Sequence, residues 1–145
     1  MSNTYSDRCR VAVLGASGFA GGELLRILAR HPHLQIVAAA ASSQVGKPLN
    51  HAYPGLGLEG GFVSVDEALA TAPDLLFASL PHTQSMAVLG SWDGPAAVDL
   101  GGDFRLDDPA AYEQWDGETY SHPDQMAQWT YGRTEWHRSE IAGAK

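Results

Sequence analysis

Cysteine is nearly absent from this chain. Cys9 is the single one among 145 residues, so no disulfide can form within the chain, and a secreted, disulfide-stapled framework is excluded. Basic residues are also scarce. Nine Lys and Arg stand against 17 Asp and Glu, for a formal net charge of -8. A broad basic face for nucleic acid or an anionic membrane is therefore not expected, while one local pocket for a phosphate stays open. No apolar stretch approaches the length of a membrane span, and Met1 to Arg10 is polar, without the apolar core of a signal peptide. The expected compartment is the cytoplasm. Metal ligands are thin too: His31 and His33 lie two apart with no third ligand in sight, so no metal site is expected. Repeats and low-complexity segments are missing.

What is present is an ordinary globular mixture, 44% hydrophobic and 18% charged, at the size of one domain. The chain is organised around Val11 to Leu28. It opens on a short apolar run, β-branched at Val11 and Val13, which suits a buried parallel strand. It closes with Leu24, Leu25, Ile27 and Leu28 at helical spacing. Between them lies Gly15-x-x-Gly18-x-x-Gly21. Strand, glycine turn and helix make the first half of a dinucleotide-binding βαβ unit. Gly15 permits the sharp turn, Gly18 lets backbone approach a pyrophosphate, and Gly21 lets helix pack on strand. Ser17 adds a hydroxyl at the mouth of the helix, whose free N–H groups and positive end suit phosphates. The fold class expected is α/β, a Rossmann-type, mostly parallel sheet with helices on both faces. A glycine-rich turn that binds nothing is the plain alternative.

The rest of the chain supports this organisation. Cys9 precedes the first strand and reads as a small apolar residue or an inert thiol. The first helix should end near His31, before Pro32. Leu34 to Ala41 reads as a second strand. An NAD-selective site would place an Asp or Glu near its end, for the ribose 2′-hydroxyl. Here the strand runs into Ser42, Ser43 and Lys47 with no carboxylate, which suits the 2′-phosphate of NADP; the alternative is a polar loop with a solvated lysine. Pro48 to Gly61 reads as loop, Phe62 to Val65 as a short strand, and Asp66 to Ala72 as a short helix. Asp74 to Ala78 is a third buried strand, delivering Ser79-Leu80-Pro81-His82-Thr83 at its carboxyl end, where ligands of parallel sheets bind. Thr83 or Ser79 should cap the helix Gln84 to Leu89. His82 either touches cofactor or substrate, or is a solvated or capping residue. Ala96 to Leu100 is a further strand, ending in Gly101-Gly102-Asp103-Phe104-Arg105. Arg105 offers a planar fork for phosphate or carboxylate, or forms a salt bridge to Asp103, Asp107 or Asp108. Asp108-Pro109 opens a helix with proline at its first position.

Four ordered stretches resemble N-acetyl-γ-glutamyl-phosphate reductases: Gly15 to Arg26, Ala78 to His82, Asp99 to Leu106, and Tyr131-Gly132 with Glu135 and Arg138. The resemblance runs from Arg10 to Lys145. It implies NADPH-dependent reduction of N-acetylglutamyl 5-phosphate to the semialdehyde with release of phosphate, in arginine biosynthesis. It implies a cysteine thiolate that displaces phosphate and a histidine acid/base. Carried over, Gly15, Ser17, Gly18, Phe19, Ala20 and Gly21 match the phosphate-binding turn, and Ser42 and Ser43 the region that meets the adenosine ribose. Leu80, Pro81 and His82 line the nicotinamide side, and Arg105 receives the substrate phosphate. The family's nucleophilic cysteine and its histidine fall beyond Lys145. Residues 1–145 are therefore expected to be the NADP-binding domain of a longer enzyme, with no catalytic residue in this chain and no activity alone. The full-length enzyme is expected to be a homo-oligomer acting on a small acyl phosphate. Trp115, Trp129 and Trp136 would face the remaining domain, so the fragment is expected to expose an apolar patch. Arg133 and Thr134 stand where the family has Leu and Pro.

The rivals are a related acyl-phosphate reductase, of the aspartate-semialdehyde or aminoadipyl-phosphate type, and a non-catalytic NAD(P)-sensing module. A short-chain reductase is excluded, because no tyrosine has a lysine four residues on.

Overall fold

In the computed structural model, residues 8–144 apart from Pro95 are described. Four strands form one all-parallel sheet in the order β2-β1-β3-β4. They are β1 (Cys9–Leu14), β2 (Leu34–Ala40), β3 (Leu75–Ala78) and β4 (Ala96–Asp99). The helices are α1 (Phe19–Leu28), α2 (Leu49–Ala52), α3 (Val65–Ala70), α4 (Gln84–Leu89), α5 (Pro109–Asp116) and α6 (Arg138–Gly143), with a 3₁₀ turn over Pro123–Gln128. No helix among the described residues is long and apolar enough to cross a membrane.

Both faces of the sheet are covered, and the alternation of β1 shows it. Val11 and Val13 pack with Leu25 and Leu28 of α1 and Leu49 of α2. Ala12 and Leu14 pack with Ala68 of α3, Met86 and Leu89 of α4, and Tyr112 of α5. Successive strand residues point to opposite faces, so a strand buried on both sides must be apolar throughout, as Val11 to Leu14 is. The doubly covered parallel sheet expected of the sequence is the one observed.

Several details differ from the sequence expectation. Cys9 lies inside β1, opposite Leu34. Helix α1 stops at Leu28, three residues short of His31, and a turn closes it through the His31 N–H to Leu28 carbonyl bond of 3.0 Å. The expected loop 48–61 contains the single turn α2. The expected strand at 62–65 shrinks to one parallel bridge between Val63 and Ala40. Its neighbour Ser64 is already committed to starting α3: its hydroxyl accepts the Glu67 N–H, and the Glu67 carboxylate takes the Ser64 N–H in return. Both bonds to Ser64 lower the pKa of that carboxyl. Asp108 caps α5 through the Ala110 N–H with Pro109 at the first position, as read. Trp115 and Trp136 are exposed, whereas Trp129 stacks on Phe104 with ring centroids 3.9 Å apart.

Candidate functional site

Because all four strands run the same way, their carboxyl ends open at one edge. The loops after β1, β2 and β3 enclose a cleft of about 620 Å³ there. From the first loop it takes Gly15, Ser17, Gly18, Phe19 and Ala20; from the second, Ser42; from the third, Ser79, Leu80 and Pro81. Val65 of α3 and Gln84, Ala87 and Val88 of α4 close the apolar side. Eight of the thirteen residues singled out in the sequence thus share one wall: Gly15, Ser17, Gly18, Phe19, Ala20, Ser42, Leu80 and Pro81. Leu80 and Pro81 share that cleft with Ser42, so the segment expected on the nicotinamide side also borders the adenosine-side residues.

The three glycines of the turn serve different purposes. Gly15 has φ +75°, and a Cβ on it would fall 2.0 Å from the Ser79 carbonyl oxygen. Gly21 is buried, and a Cβ there would fall 2.2 Å from the Gly15 carbonyl oxygen. Gly18 has ordinary extended backbone, and its Cβ would meet only the Gly15 carbonyl at 3.4 Å. Packing explains Gly15 and Gly21, but Gly18 borders open cleft, where only a close-lying ligand needs the missing side chain. The first helical bond of α1 runs from the Gly22 N–H to the Gly18 carbonyl. The N–H groups before it have no helical acceptor, a setting that favours an anion. The turn therefore fits a pyrophosphate.

A second hollow of about 560 Å³ lies on the other side of the turn, between α1 and the segment after α2. Phe19, fully exposed, borders both hollows. Tyr53 is a residue that the sequence reading missed. Its hydroxyl donates to the Ala16 carbonyl at 2.7 Å, and its ring occupies the space that a Cβ on Gly22 would need. Tyr53 thereby braces the turn from outside, and burial pushes its phenol up. No local pattern announces it, since 37 residues separate the two groups.

The remaining site residues sit apart from the cleft. Ser43 and Lys47 are exposed and do not line it. The Lys47 main chain closes a turn, its N–H to the Gln44 carbonyl at 3.0 Å and its carbonyl to the Phe62 N–H at 3.0 Å. His82 and Arg105 belong to a cluster centred on Asp103, which is fully buried. One Asp103 oxygen accepts the Thr83 N–H at 2.9 Å and the other the Met86 N–H at 2.8 Å. The expected cap from Thr83 or Ser79 is not made: Thr83 sits at φ +68° with no capping bond from its side chain. Asp103 caps α4 from another loop instead, and its grip on the Thr83 N–H offsets a backbone strain of about 1–3 kcal/mol.

Asp103 Oδ1 also lies 2.9 Å from His82 Nδ1. An acceptor already facing two N–H groups makes Nδ1 the donor, which turns His82 Nε2 toward the Tyr112 hydroxyl at 3.3 Å and Asp116 Oδ1 at 3.7 Å. The His82 and Tyr112 rings stack with centroids 5.7 Å apart. Burial, with the charges of Asp103 and Asp116, pushes the Tyr112 hydroxyl up to about 12. Arg105 pairs with Asp116 at 3.4 Å, not with Asp103, Asp107 or Asp108, because α5 carries Asp116 back against the loop. Arg105 also lines a groove of about 460 Å³ beside β4. Burial raises the Asp99 carboxyl, against the opposing effect of the Ser85 hydroxyl at 2.7 Å. Cys9 stands away from all of this, its thiol pushed up by burial and by the charge of Asp74, which is the opposite of an activated nucleophile. No group of three or more His, Cys, Asp or Glu suited to a metal ion occurs among the described residues.

A doubly wound parallel sheet with a glycine turn and an open cleft at its carboxyl edge defines a dinucleotide-binding domain. Residues 10–144 match the family model described as semialdehyde dehydrogenase, NAD binding domain, and the chain belongs to that family. It is 40% identical over 138 residues to an N-acetyl-gamma-glutamyl-phosphate reductase of Cereibacter sphaeroides, covering 93% of this chain and 40% of that protein. A reductase of the same name from Acidothermus cellulolyticus is 42% identical over 141 residues, covering 94% and 40%. A LysW-L-2-aminoadipate 6-phosphate reductase of Deinococcus radiodurans is 34% identical over 141 residues, covering 96% and 40%. The chain spans about two-fifths of the length of these curated relatives. In fold it is similar to an aspartate semialdehyde dehydrogenase of Candida albicans solved with NADP, with a TM-score of 0.56 and 22% identity over 70% of this chain and 32% of that one.

Proposed function

We propose that residues 1–145 are the NADP-binding domain of a longer acyl-phosphate reductase, which reduces N-acetylglutamyl 5-phosphate to the semialdehyde and releases phosphate. The observation that carries this reading is Gly18. It is a glycine with no packing reason to be one, at a helix start, bordering a cleft that also holds Ser42. The names of the relatives supply the reaction class. An aminoadipyl phosphate is the second reading, favoured by the Deinococcus relative.

When bound, the reduced nicotinamide supplies hydride. The chain's own residues bind and orient. Gly18 and the N–H groups of Phe19, Ala20 and Gly21 receive the pyrophosphate, with Ser17 beside them. Ser42 and Ser43 take the 2′-phosphate as hydroxyl donors, with Lys47 at the edge of the same loop, and the lack of a carboxylate there spares it repulsion. Leu80, Pro81 and Val65 exclude water. Arg105 receives the phosphoryl group of the substrate, and His82 stands between the two sites. Cys9 is excluded as nucleophile by its place in β1, so this chain alone reduces no acyl phosphate. The working enzyme is a cytoplasmic homo-oligomer.

Calorimetric titration with NADPH and, separately, NADH tests the cofactor. NADPH should bind more tightly, and Ser42→Asp should weaken it at least about tenfold by setting like charges against each other. Equal affinity for NADH, or an unchanged Ser42→Asp, refutes the 2′-phosphate site. Comparing the two acyl phosphates as substrates of the full-length protein decides between the two readings.

A further inference from the structure

Two N–H groups of the glycine turn are occupied from within the chain. The Ala16 N–H donates to the Ala40 carbonyl at 2.8 Å, and the Gly18 N–H to the Gly15 carbonyl at 3.1 Å. The Ser17 N–H between them has no acceptor among the described residues. Its direction is set by the other end of the same peptide. In a trans peptide the carbonyl and the N–H point opposite ways, and no described peptide is cis. The Ala16 carbonyl accepts the Tyr53 hydroxyl at 2.7 Å. Tyr53 lines the hollow between α1 and the segment after α2, while Ser17 lines both that hollow and the cleft. A carbonyl held toward Tyr53 therefore turns the Ser17 N–H to the cleft side. Tyr53 is itself fixed. Its N–H bonds the Leu49 carbonyl at 2.8 Å, and its ring stands edge-on to Phe62 with centroids 6.2 Å apart. Gly22 makes room for that ring: a Cβ there would fall 2.7 Å from the Tyr53 hydroxyl oxygen and 2.8 Å from a ring carbon. Gly22 lies inside α1, where alanine favours the helix more than glycine does, so helix formation does not ask for it.

We propose that Tyr53 is a positioning residue for the dinucleotide: its hydroxyl holds the peptide between Ala16 and Ser17 so that the Ser17 N–H is aimed at the pyrophosphate, and Gly22 admits its ring. This rests on the dinucleotide reading above and adds to it a donor and the group that aims it. Without the hydroxyl the peptide is free to rotate, and a rotated peptide presents its carbonyl oxygen to the phosphate oxygens, which repel it. A bond on the far side of the peptide, made before the ligand arrives, removes that arrangement and the cost of ordering it. Tyr53 does not line the cleft and acts through the peptide alone.

The test is calorimetric titration of NADPH, ADP and adenosine 2′-phosphate into the wild-type chain, Tyr53→Phe and Gly22→Ala. Tyr53→Phe keeps the ring and its contacts and removes only the hydroxyl, so the variant keeps its fold. It should weaken NADPH and ADP alike, about tenfold, as the loss of one hydrogen bond to a charged group does. Adenosine 2′-phosphate has no pyrophosphate and should stay within about twofold of wild type. Gly22→Ala should repeat this pattern, because its methyl group displaces the Tyr53 hydroxyl. In the ligand-free protein, Tyr53→Phe should also move the NMR resonances of the Ala16 carbonyl carbon and the Ser17 amide. NADPH affinity within about twofold of wild type in Tyr53→Phe, an equal loss of all three ligands, or unmoved resonances overturns the positioning. An equal loss is what a merely structural tyrosine would give. Unchanged NADPH affinity in Gly22→Ala overturns the part given to Gly22. A wild type that binds neither NADPH nor ADP overturns the dinucleotide reading itself, whereas wild-type binding that Tyr53→Phe leaves unchanged overturns the positioning alone.

Discussion

Alanine in place of Gly15 and of Gly18, one at a time, should separate folding from binding. At Gly15 the new side chain meets two penalties. Its φ of +75° is left-handed, which costs an L-residue about 1–2 kcal/mol. Its Cβ would stand 2.0 Å from the Ser79 carbonyl oxygen and 2.6 Å from the Ser79 carbonyl carbon. That peptide cannot step aside cheaply, because the Ser79 N–H is bonded to the Leu14 carbonyl at 2.9 Å and β3 is paired with β1. Overpacking of this kind adds about 1–3 kcal/mol, for a total of roughly 2–5 kcal/mol. For a domain of this size such a loss lowers the melting temperature by roughly 10 °C. At Gly18 neither penalty applies. Its φ is -78°, and the Cβ meets a single carbonyl at 3.4 Å, so the cost stays near the ~1 kcal/mol of a poorer N-cap. Gly18→Ala should melt within a few degrees of wild type and yet lose NADPH affinity at least about tenfold, since a methyl group displaces the pyrophosphate. Thermal melts and calorimetry on the two variants decide it. Should Gly18→Ala melt as early as Gly15→Ala, or bind NADPH like the wild type, the division of labour among the glycines is wrong.

Two further outcomes test the carboxylates of the buried Asp103 and the partly buried Asp99. Asp103→Ala leaves the N–H groups of Thr83 and Met86 without their acceptor, and truncating one member of a buried charged network should cost about 3–5 kcal/mol, read as a lower urea midpoint; a loss below about 1 kcal/mol would mean that water replaces the cap. Asp99 titrates with the opposite sign to a paired carboxylate. Burial raises its carboxyl above the ordinary 3.8, so across the window upward from that value the folded chain binds more protons than the unfolded one. Its contribution to stability therefore falls as pH rises through the window and stays lower above it. Asp99→Asn keeps an oxygen for the Ser85 hydroxyl and the Gly101 N–H and removes the charge. The stability difference between variant and wild type should thus grow in the variant's favour from acid to neutral pH, and a difference that shrinks refutes the assignment.

Short-range signals made much of the fold legible. The β-branched run of β1, the helical leucines of α1, the Asp108-Pro109 start of α5 and the bounds of α4 each depend on residues within a turn or two, and each was found where local chemistry places it. Two of the failures share one physical cause, a decisive contact that comes from farther along the chain, and the third is a local competition. The strand expected at 62–65 depended on whether Ser64 would pair with β2 or cap α3, and the capping box with Glu67 decided it. Tyr53 was invisible because its partner Ala16 lies across α1. Arg105 was weighed against the acids nearest in sequence, but helix α5 brings Asp116 to it instead.

The pairing of His82 with Asp103 shows what was missing. Strands β3 and β4 are parallel, with Ala78 opposite Asp99. His82 is the fourth residue beyond Ala78, and Asp103 is the fourth residue beyond Asp99. Equal offsets from a paired position bring the two side chains to the same height above the sheet, where Nδ1 and Oδ1 meet at 2.9 Å. Both loops were identified from sequence, since both follow apolar runs and end in residues able to bind a ligand. Their mutual register was not, because a period of two within each strand fixes which face a residue takes and leaves open its alignment with the neighbouring strand. Site residues in a parallel sheet are therefore readable one loop at a time, while the contacts that orient them, such as Asp103 holding His82 and capping α4 at once, exist only after the strands have aligned.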